Sequence, residues 1–357
     1  MKPTLTSQDF LDFQNSSNNE CLSSADPRAL GSGYSRKIHF TVVGCHAFII
    51  TVSLILNGAI CHVYRKGTVR KATFNALLVN LAVADIVTSL GMIPFIAVTP
   101  IMLRHLNQEV ADVMCTVTVG QLIFWIGNAT SIMTLCVISV NRYIVINHSM
   151  TAWDRLIKRS DIKKIMIAIP WIFGITLPLP NLPTRKFEWC STLCSRQWPP
   201  YINGGAYSIA TVFLGYVVPI GIMIYTLCAS IHRLWFRPIS EDWGIAVVRA
   251  RKRVVVVLCT LIGVFVCWWT PFAVYWLLST TTHVFPDGDA GYYPRTKVIY
   301  IVTMASLVNA AFNPIIYGLK SEDFRKAIKE EFSTSLRSRS PFIRTPLLWD
   351  GNAQDSA

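Results

Sequence analysis

The chain has 357 residues, 52% of them hydrophobic and only 15% charged, with a mean hydropathy of +0.42 and a formal net charge of +13. Soluble chains carry about 25% charged residues, so a string of soluble domains is excluded, as are disorder, collagen and coiled coil over most of the length. Ten cysteines are too sparse for a disulfide-stapled secreted module, which leaves a membrane protein of several spans.

Residues 1–37 are polar and contain no apolar h-region. They read as an extracellular tail ahead of a first span that acts as an uncleaved signal anchor. Asn15-Ser16-Ser17 is a glycosylation sequon on that tail. A membrane helix needs about 20 mostly apolar residues. Seven stretches meet that requirement with almost no Asp, Glu, Lys or Arg. They are 38–64, 72–103, 113–141, 165–184, 197–232, 254–286 and 298–319, the fifth becoming strongly apolar near Tyr207. The second is interrupted by a single charge, Asp85. The fold class is therefore an all-α membrane protein, a seven-transmembrane helix bundle over 38–319.

Lys and Arg concentrate in the loops after the first, third and fifth spans and in the tail. By the positive-inside bias these segments are cytoplasmic and the N-terminus is extracellular. The basic excess is a signature of topology and of anionic inner-leaflet lipid, and no nucleic-acid partner is implied. Phe324, Ile328 and Phe332 recur at i, i+4 and i+8 among Lys and Glu. That stripe predicts an amphipathic membrane-surface helix over 320–332. Residues 333–357 are polar and read as a disordered cytoplasmic tail.

An ionisable residue inside a membrane helix costs about 2.5 kcal/mol or more and marks a functional site by default. Asp85 is the deep carboxylate here. Asn57, Ser131, Asn309 and Asn313 place amide or hydroxyl groups in three other spans. Together they form either a hydrated sodium or proton site or a purely structural hydrogen-bond network. No metal cluster is expected.

The spans carry a further set of residues, one group per helix. They are Asn57-Gly58; Asn80 through Asp85; Asn141-Arg142-Tyr143; Trp171; Pro219; Phe265 through Pro271, containing Trp269; and Asn313-Pro314-Ile315-Ile316-Tyr317. In this order the chain resembles the rhodopsin-like G-protein-coupled receptors over roughly residues 38–332. The resemblance implies an extracellular ligand, a heterotrimeric G protein, arrestin as a further partner, and a plasma-membrane location. It implies a switch built from Asn141, Arg142, Tyr143, Trp269, Pro271, Asn313, Pro314 and Tyr317. Ligand contacts fall at Gln121, Phe124, Asn128, Asn181, Trp269, Phe272, Tyr275 and Tyr300. The family also joins the top of the third span, here Cys115, to the second outer loop, at Cys194 or Cys190. Cys21–Cys190 would be a second bridge if Cys194 is taken.

Some stretches are similar to narrower groups. Asn141 through Ser149 resembles the melatonin receptors, as does Pro180-Asn181. Pro314 departs from that group, and Gly215 stands where its fifth-span His would be. Cys194 through Pro199 resembles a loop pattern of neuropeptide receptors. The ligand is thus either a neuropeptide or a melatonin-like small molecule. Amines and retinal are disfavoured, because Phe124 and Leu307 replace the acid and lysine those ligands require.

Other departures concern the resting lock. Asn141 replaces the usual acid before Arg142, Arg251 stands where many members have Glu, and Leu227 replaces a fifth-span Tyr. Cys115 also lies two residues further from Arg142 than is usual. A weakly locked receptor with ligand-free signalling is expected. A transporter or channel is the rival class, but it would want internal repeats or several intramembrane charges. An enzyme is not expected, since no nucleophile–base pairing or metal cluster is apparent.

Overall fold

The computed structural model describes residues 36–64, 73–98, 100–189, 193–237, 244–281 and 289–320. Expectations for Cys21, Cys190, Asn15, the 320–332 helix and the tail lie outside these residues, as does the side-chain placement of Tyr317. The first span is α1 (Arg36–Val63) and the second is α2 (Thr73–Ala97). The third comprises α3 (Gln108–Val117) and α4 (Leu122–Asn147). A short α5 (Ala152–Ile157) precedes the fourth span, α6 (Ser160–Thr176). The fifth joins α7 (Gly204–Val212) to α8 (Val218–Trp235), and α9 (Ile245–Thr281) and α10 (Asp289–Lys320) are the sixth and seventh. Six of these spans are long and apolar enough to cross a membrane, and Tyr300–Ile316 adds a shorter apolar one.

The third span is central and touches the second, fourth and fifth, while the seventh closes the ring against the first and sixth. Small residues permit the closest crossings. A Cβ on Gly127 would stand 2.5 Å from the Thr88 backbone, and one on Gly174 would stand 2.0 Å from Thr130 Oγ1. Large apolar side chains such as Phe48, Ile55 and Ile172 are exposed on the outside of the bundle. They are suited to lipid, because helices satisfy their own backbone groups and need present only apolar surface.

Among the described residues four spans depart from uninterrupted helix, the fourth passing after Thr176 to a 3₁₀ turn, Leu179–Thr184, that contains Pro180 and Pro183. The second stops at Ala97 and passes to a 3₁₀ turn, Pro100–His105, where Pro cannot continue the amide ladder. In the third, helix fails between Val117 and Leu122: Gly120 N–H reaches back to the Cys115 carbonyl at 2.9 Å, and Gln121 takes φ 54°. This irregular segment accommodates the extra spacing between Cys115 and Arg142. In the fifth, a π-helical turn, Phe213–Val217, precedes Pro219, which has no N–H to donate.

The end of the bundle that carries Cys115 is covered by a hairpin. β1 (Arg185–Glu188) pairs antiparallel with β2 (Leu193–Arg196), with Arg185 opposite Arg196 and Phe187 opposite Cys194. A disulfide joins Cys115 to Cys194, the first of the two pairings the resemblance allowed. Asp112 clamps the other strand, β1: its carboxylate accepts from Phe187 N–H at 2.7 Å and Lys186 Nζ at 2.8 Å, and from Gln108 Nε2 on its own helix at 2.8 Å. The hairpin is thereby fixed to the end of the third span.

Candidate functional site

Asp85 lies fully buried at the centre of the bundle. Its Oδ1 accepts from Ser131 Oγ at 2.8 Å, and its Oδ2 accepts from Asn313 Nδ2 at 2.8 Å. One carboxylate thus ties the second, third and seventh spans. Nearby, Ser89 Oγ lies 2.8 Å from Ser53 Oγ, and Asn57 Nδ2 donates to the carbonyls of Ser53 at 3.0 Å and Ala310 at 3.1 Å. Asn309 is buried one helical turn before Asn313. The side-chain oxygens of Asn57 and Asn309 have no hydrogen-bond partner. A carboxylate with unpartnered carbonyl oxygens in the same polar cluster suits a hard cation, which selects oxygen ligands. Asn80 makes a second tie, donating to Thr134 Oγ1 at 3.0 Å and accepting from Trp171 Nε1 at 2.8 Å.

At the hairpin end, the third to sixth spans line an open cleft of about 650 Å³, solvent at its mouth included. Its wall is largely aromatic, with Trp125, Tyr207, Tyr216, Trp269, Phe272 and Trp276. The Trp125 and Phe272 rings are 4.6 Å apart, and Trp269 packs on Phe272 at 5.7 Å and Phe265 at 5.9 Å. Asn128 and Asn181 supply polar edges. Asn181 Nδ2 donates to Tyr207 Oη at 3.1 Å, leaving its Oδ1 without a partner. A smaller cavity adjoins above, sharing Trp125, Pro178 and Asn181, and reaching Arg185 and Arg196 on the hairpin. Both guanidiniums are held below the usual arginine range by burial, Arg185 at about 9 and Arg196 at about 10. The charge of Arg196 adds to the effect on Arg185.

At the opposite end of the bundle the Arg142 guanidinium rests 3.6 Å from the centre of the Phe74 ring. Its Nε and the amide Nδ2 of Asn141 are buried without a hydrogen-bond partner. The like charge of Arg251 bears on Arg142, as its position in the sequence predicts, and Asp154 in turn attracts Arg251. Tyr143 Oη lies 3.3 Å from His148 Nε2. Leu227 packs with Ile146, Leu234 and Val255 in an apolar plug between the third, fifth and sixth spans.

Residues 56–317 match the family model for the seven-transmembrane receptors of the rhodopsin family. The chain belongs to that family. It is 25% identical over 336 residues to the galanin receptor type 1 of Rattus norvegicus, covering 89% of this chain and 88% of that one. It is 26% identical over 294 residues to the somatostatin receptor type 5 of Rattus norvegicus, covering 80% and 76%. It is also 24% identical over 306 residues to a QRFP-like peptide receptor of Branchiostoma floridae, covering 82% and 77%. The chain is a G-protein-coupled receptor of several membrane spans.

The receptor brings four of the expected ligand contacts, Asn128, Asn181, Trp269 and Phe272, to the cavity wall. Three others lie elsewhere. Phe124 is fully buried among Ile50, Met92 and Leu307. Tyr300 packs on Phe95 at 5.2 Å and on His46 at 6.0 Å. Gln121 sits in the break of the third span, and neither polar atom of its buried amide has a partner. Tyr275 lies near both hairpin arginines and is not part of the cavity wall. The stripe that the third span presents to the cavity is Trp125, Asn128, Ala129 and Ile132, an i, i+3, i+4, i+7 series. Phe124 is one residue, about 100°, off its leading edge. Sequence reasoning missed Trp125, Trp276, Arg185 and Arg196. Helical spacing from Asn128 and Phe272 would have found the two tryptophans. The arginines gave no signal, because their apposition depends on hairpin register.

Proposed function

We propose that this receptor sits in the plasma membrane with its N-terminus outside and takes an extracellular peptide into the aromatic cavity. Binding shifts a two-state equilibrium toward an arrangement that engages a heterotrimeric G protein. The observation that carries this reading is continuity. Trp269 forms part of the cavity wall, lies two residues before Pro271, and packs on Phe265 in the same core that surrounds the third span. A ligand against Trp269 therefore biases the bend that Pro271 permits in the sixth span. Movement of that span carries Arg251 and Val255 relative to Arg142 and Ile146. Asn141, Arg142 and Tyr143 then face the G protein, with Asn313, Pro314 and Tyr317 completing the switch on the seventh span.

A peptide is favoured over a melatonin-like molecule because the similar proteins are named for peptides. Sodium at Asp85, bounded by Asn57, Ser131, Asn309 and Asn313, would favour the resting arrangement. With Arg142 resting on a ring face and Arg251 repelling it, measurable ligand-free signalling follows. Arrestin and anionic inner-leaflet lipid are the other partners in this reading.

The test is expression of the intact chain in mammalian cells, with cAMP and G-protein dissociation read against short amidated peptides, melatonin and related indoles. A basal or ligand-dependent signal that Arg142→Ala abolishes is expected. Silence in every G-protein readout, with surface expression confirmed, would overturn the coupling.

A further inference from the structure

We infer that the paired guanidiniums of Arg185 and Arg196 form a seat for a carboxylate, so that the ligand is an aromatic or apolar molecule ending in an acid. The inference rests on the ligand-binding reading above and specifies the chemistry of that site.

Arg185 and Arg196 are directly opposite in the hairpin register, and like charges so placed destabilise a strand pair. Both line the small cavity at the mouth of the aromatic pocket, where burial makes an unpaired cation costly. The Nε of Arg196 is buried with no hydrogen-bond partner. Among the described residues no carboxylate forms an ion pair with either arginine. Asp112 is occupied by Lys186 at 2.8 Å, and Glu188 is at the far end of the hairpin, opposite Leu193. The residues lining the two cavities include no Asp or Glu.

What holds Arg196 is aromatic. Its guanidinium lies 4.5 Å from the Trp276 ring centre and 5.7 Å from that of Trp198. Stacking on a ring face leaves the in-plane N–H groups of a guanidinium free to meet an acceptor. Trp276 also walls the aromatic cavity, so the cation is joined to the place where an apolar body would lie. Two guanidiniums present a set of fixed donors, and a carboxylate is the planar acceptor that matches such a fork. A ligand lying against Trp125, Phe272 and Trp276 would point its acid to the hairpin and remove the repulsion between the arginines. The acid has two possible sources, a peptide's free C-terminus or a small aromatic acid.

The experiment uses the purified full-length receptor in lipid nanodiscs and measures melting temperature and affinity. The probes are matched acid and amide pairs: N-acetyltryptophan with its amide, and N-acetyl-Phe-Phe-Trp with its amide. The acid of at least one pair is expected to raise the melting temperature saturably and to bind about tenfold or more tighter than its amide, the difference expected for a charge-assisted hydrogen bond. A preference confined to the tripeptide points to a peptide terminus, and one already present in the single residue points to a small acid. Arg185→Gln and Arg196→Gln should both erase the preference, and Arg185→Gln should raise the melting temperature of the ligand-free receptor, since it removes one of two repelling charges and leaves the stacking of Arg196 on Trp276 in place. Equal behaviour of acids and amides overturns the seat, as does a fall in ligand-free melting temperature in Arg185→Gln, which would mean that another part of the chain already fills it. A neutral ligand that signals equally through wild type and Arg185→Gln removes the seat but leaves the cavity as the ligand site. Loss of all signalling with the acid preference intact would instead remove G-protein coupling.

Discussion

The middle of the bundle and its Arg142 end treat a charge in opposite ways. Asp85 is enclosed and both its oxygens are occupied, by Ser131 and Asn313. Arg142 has no carboxylate beside it on its own helix, rests on the face of Phe74, and feels the like charge of Arg251. The first arrangement joins three spans by directional bonds that must break together. The second holds a cation by a ring face, an attraction worth about 2 kcal/mol when desolvated. Stability is therefore concentrated at the centre, and the ease of switching at the Arg142 end. A receptor built this way can be loosened at that end without unfolding.

The largest effect should come from breaking the centre. Asp85→Ala leaves the Ser131 hydroxyl and the Asn313 amide buried without acceptors, at about 1–3 kcal/mol each. A clear fall in the melting temperature of the purified receptor is expected, together with loss of any response to ligand. Asp85→Asn keeps a similar shape and one acceptor oxygen, so it should cost less stability while abolishing any sodium dependence of the resting state. If Asp85→Ala melts with the wild type, the carboxylate is not the tie between the spans. Sodium sensitivity that survives Asp85→Asn would remove the ion from this cluster.

Next in size is the ring under Arg142. Phe74→Ala removes the surface on which Arg142 rests and should raise basal G-protein dissociation by up to about tenfold, with little change in melting temperature. Phe74→Trp, a better face for a cation, should lower it. An unchanged basal signal in both variants would mean that the ring does not hold Arg142 in the resting state. Arg251→Glu comes third. It replaces a repelling charge by an attracting one at a half-buried position, worth about 1 kcal/mol, and should lower basal signalling roughly fivefold. A rise instead would show that the attraction of Asp154 for Arg251 matters more than its repulsion of Arg142.

The two regions were unequally legible in the sequence. Asp85 stands out because a lone charge in an apolar run needs a reason, and the one amide that meets it, that of Asn313, lies in a motif with a fixed position in its helix. The Cys115–Cys194 bridge was one of two pairings that the family resemblance allowed. By contrast, the Phe74–Arg142 contact joins the start of one span to the end of another, and no periodicity reports it. The break at Gln121 was visible only as two surplus residues between Cys115 and Arg142. A non-glycine residue at φ 54° carries no sequence mark of that conformation. The same difficulty hid the arginine pair: alternation tells which strand face a residue takes, and only register tells what it meets.

The smallest single effect should be Asn141→Asp, although this substitution restores the acid the family usually has there. Residues i and i+1 point about 100° apart on a helix and do not face each other. In this receptor Arg142 is moreover drawn to Phe74. The change removes a buried amide donor that has no partner, which is favourable, but buries a carboxylate in its place, which is not. These contributions oppose, so basal signalling should move by less than about twofold. The comparison is sharpened in the Phe74→Ala background. There the guanidinium has lost its ring, and the new carboxylate is the nearest attraction left to it. Asn141→Asp should then reduce the raised basal signal several-fold, which appears as a coupling between the two positions in a double-mutant cycle of basal G-protein dissociation. Additive behaviour would mean that Phe74 and Asn141 act on Arg142 independently, and that the ring is not a substitute for the missing acid.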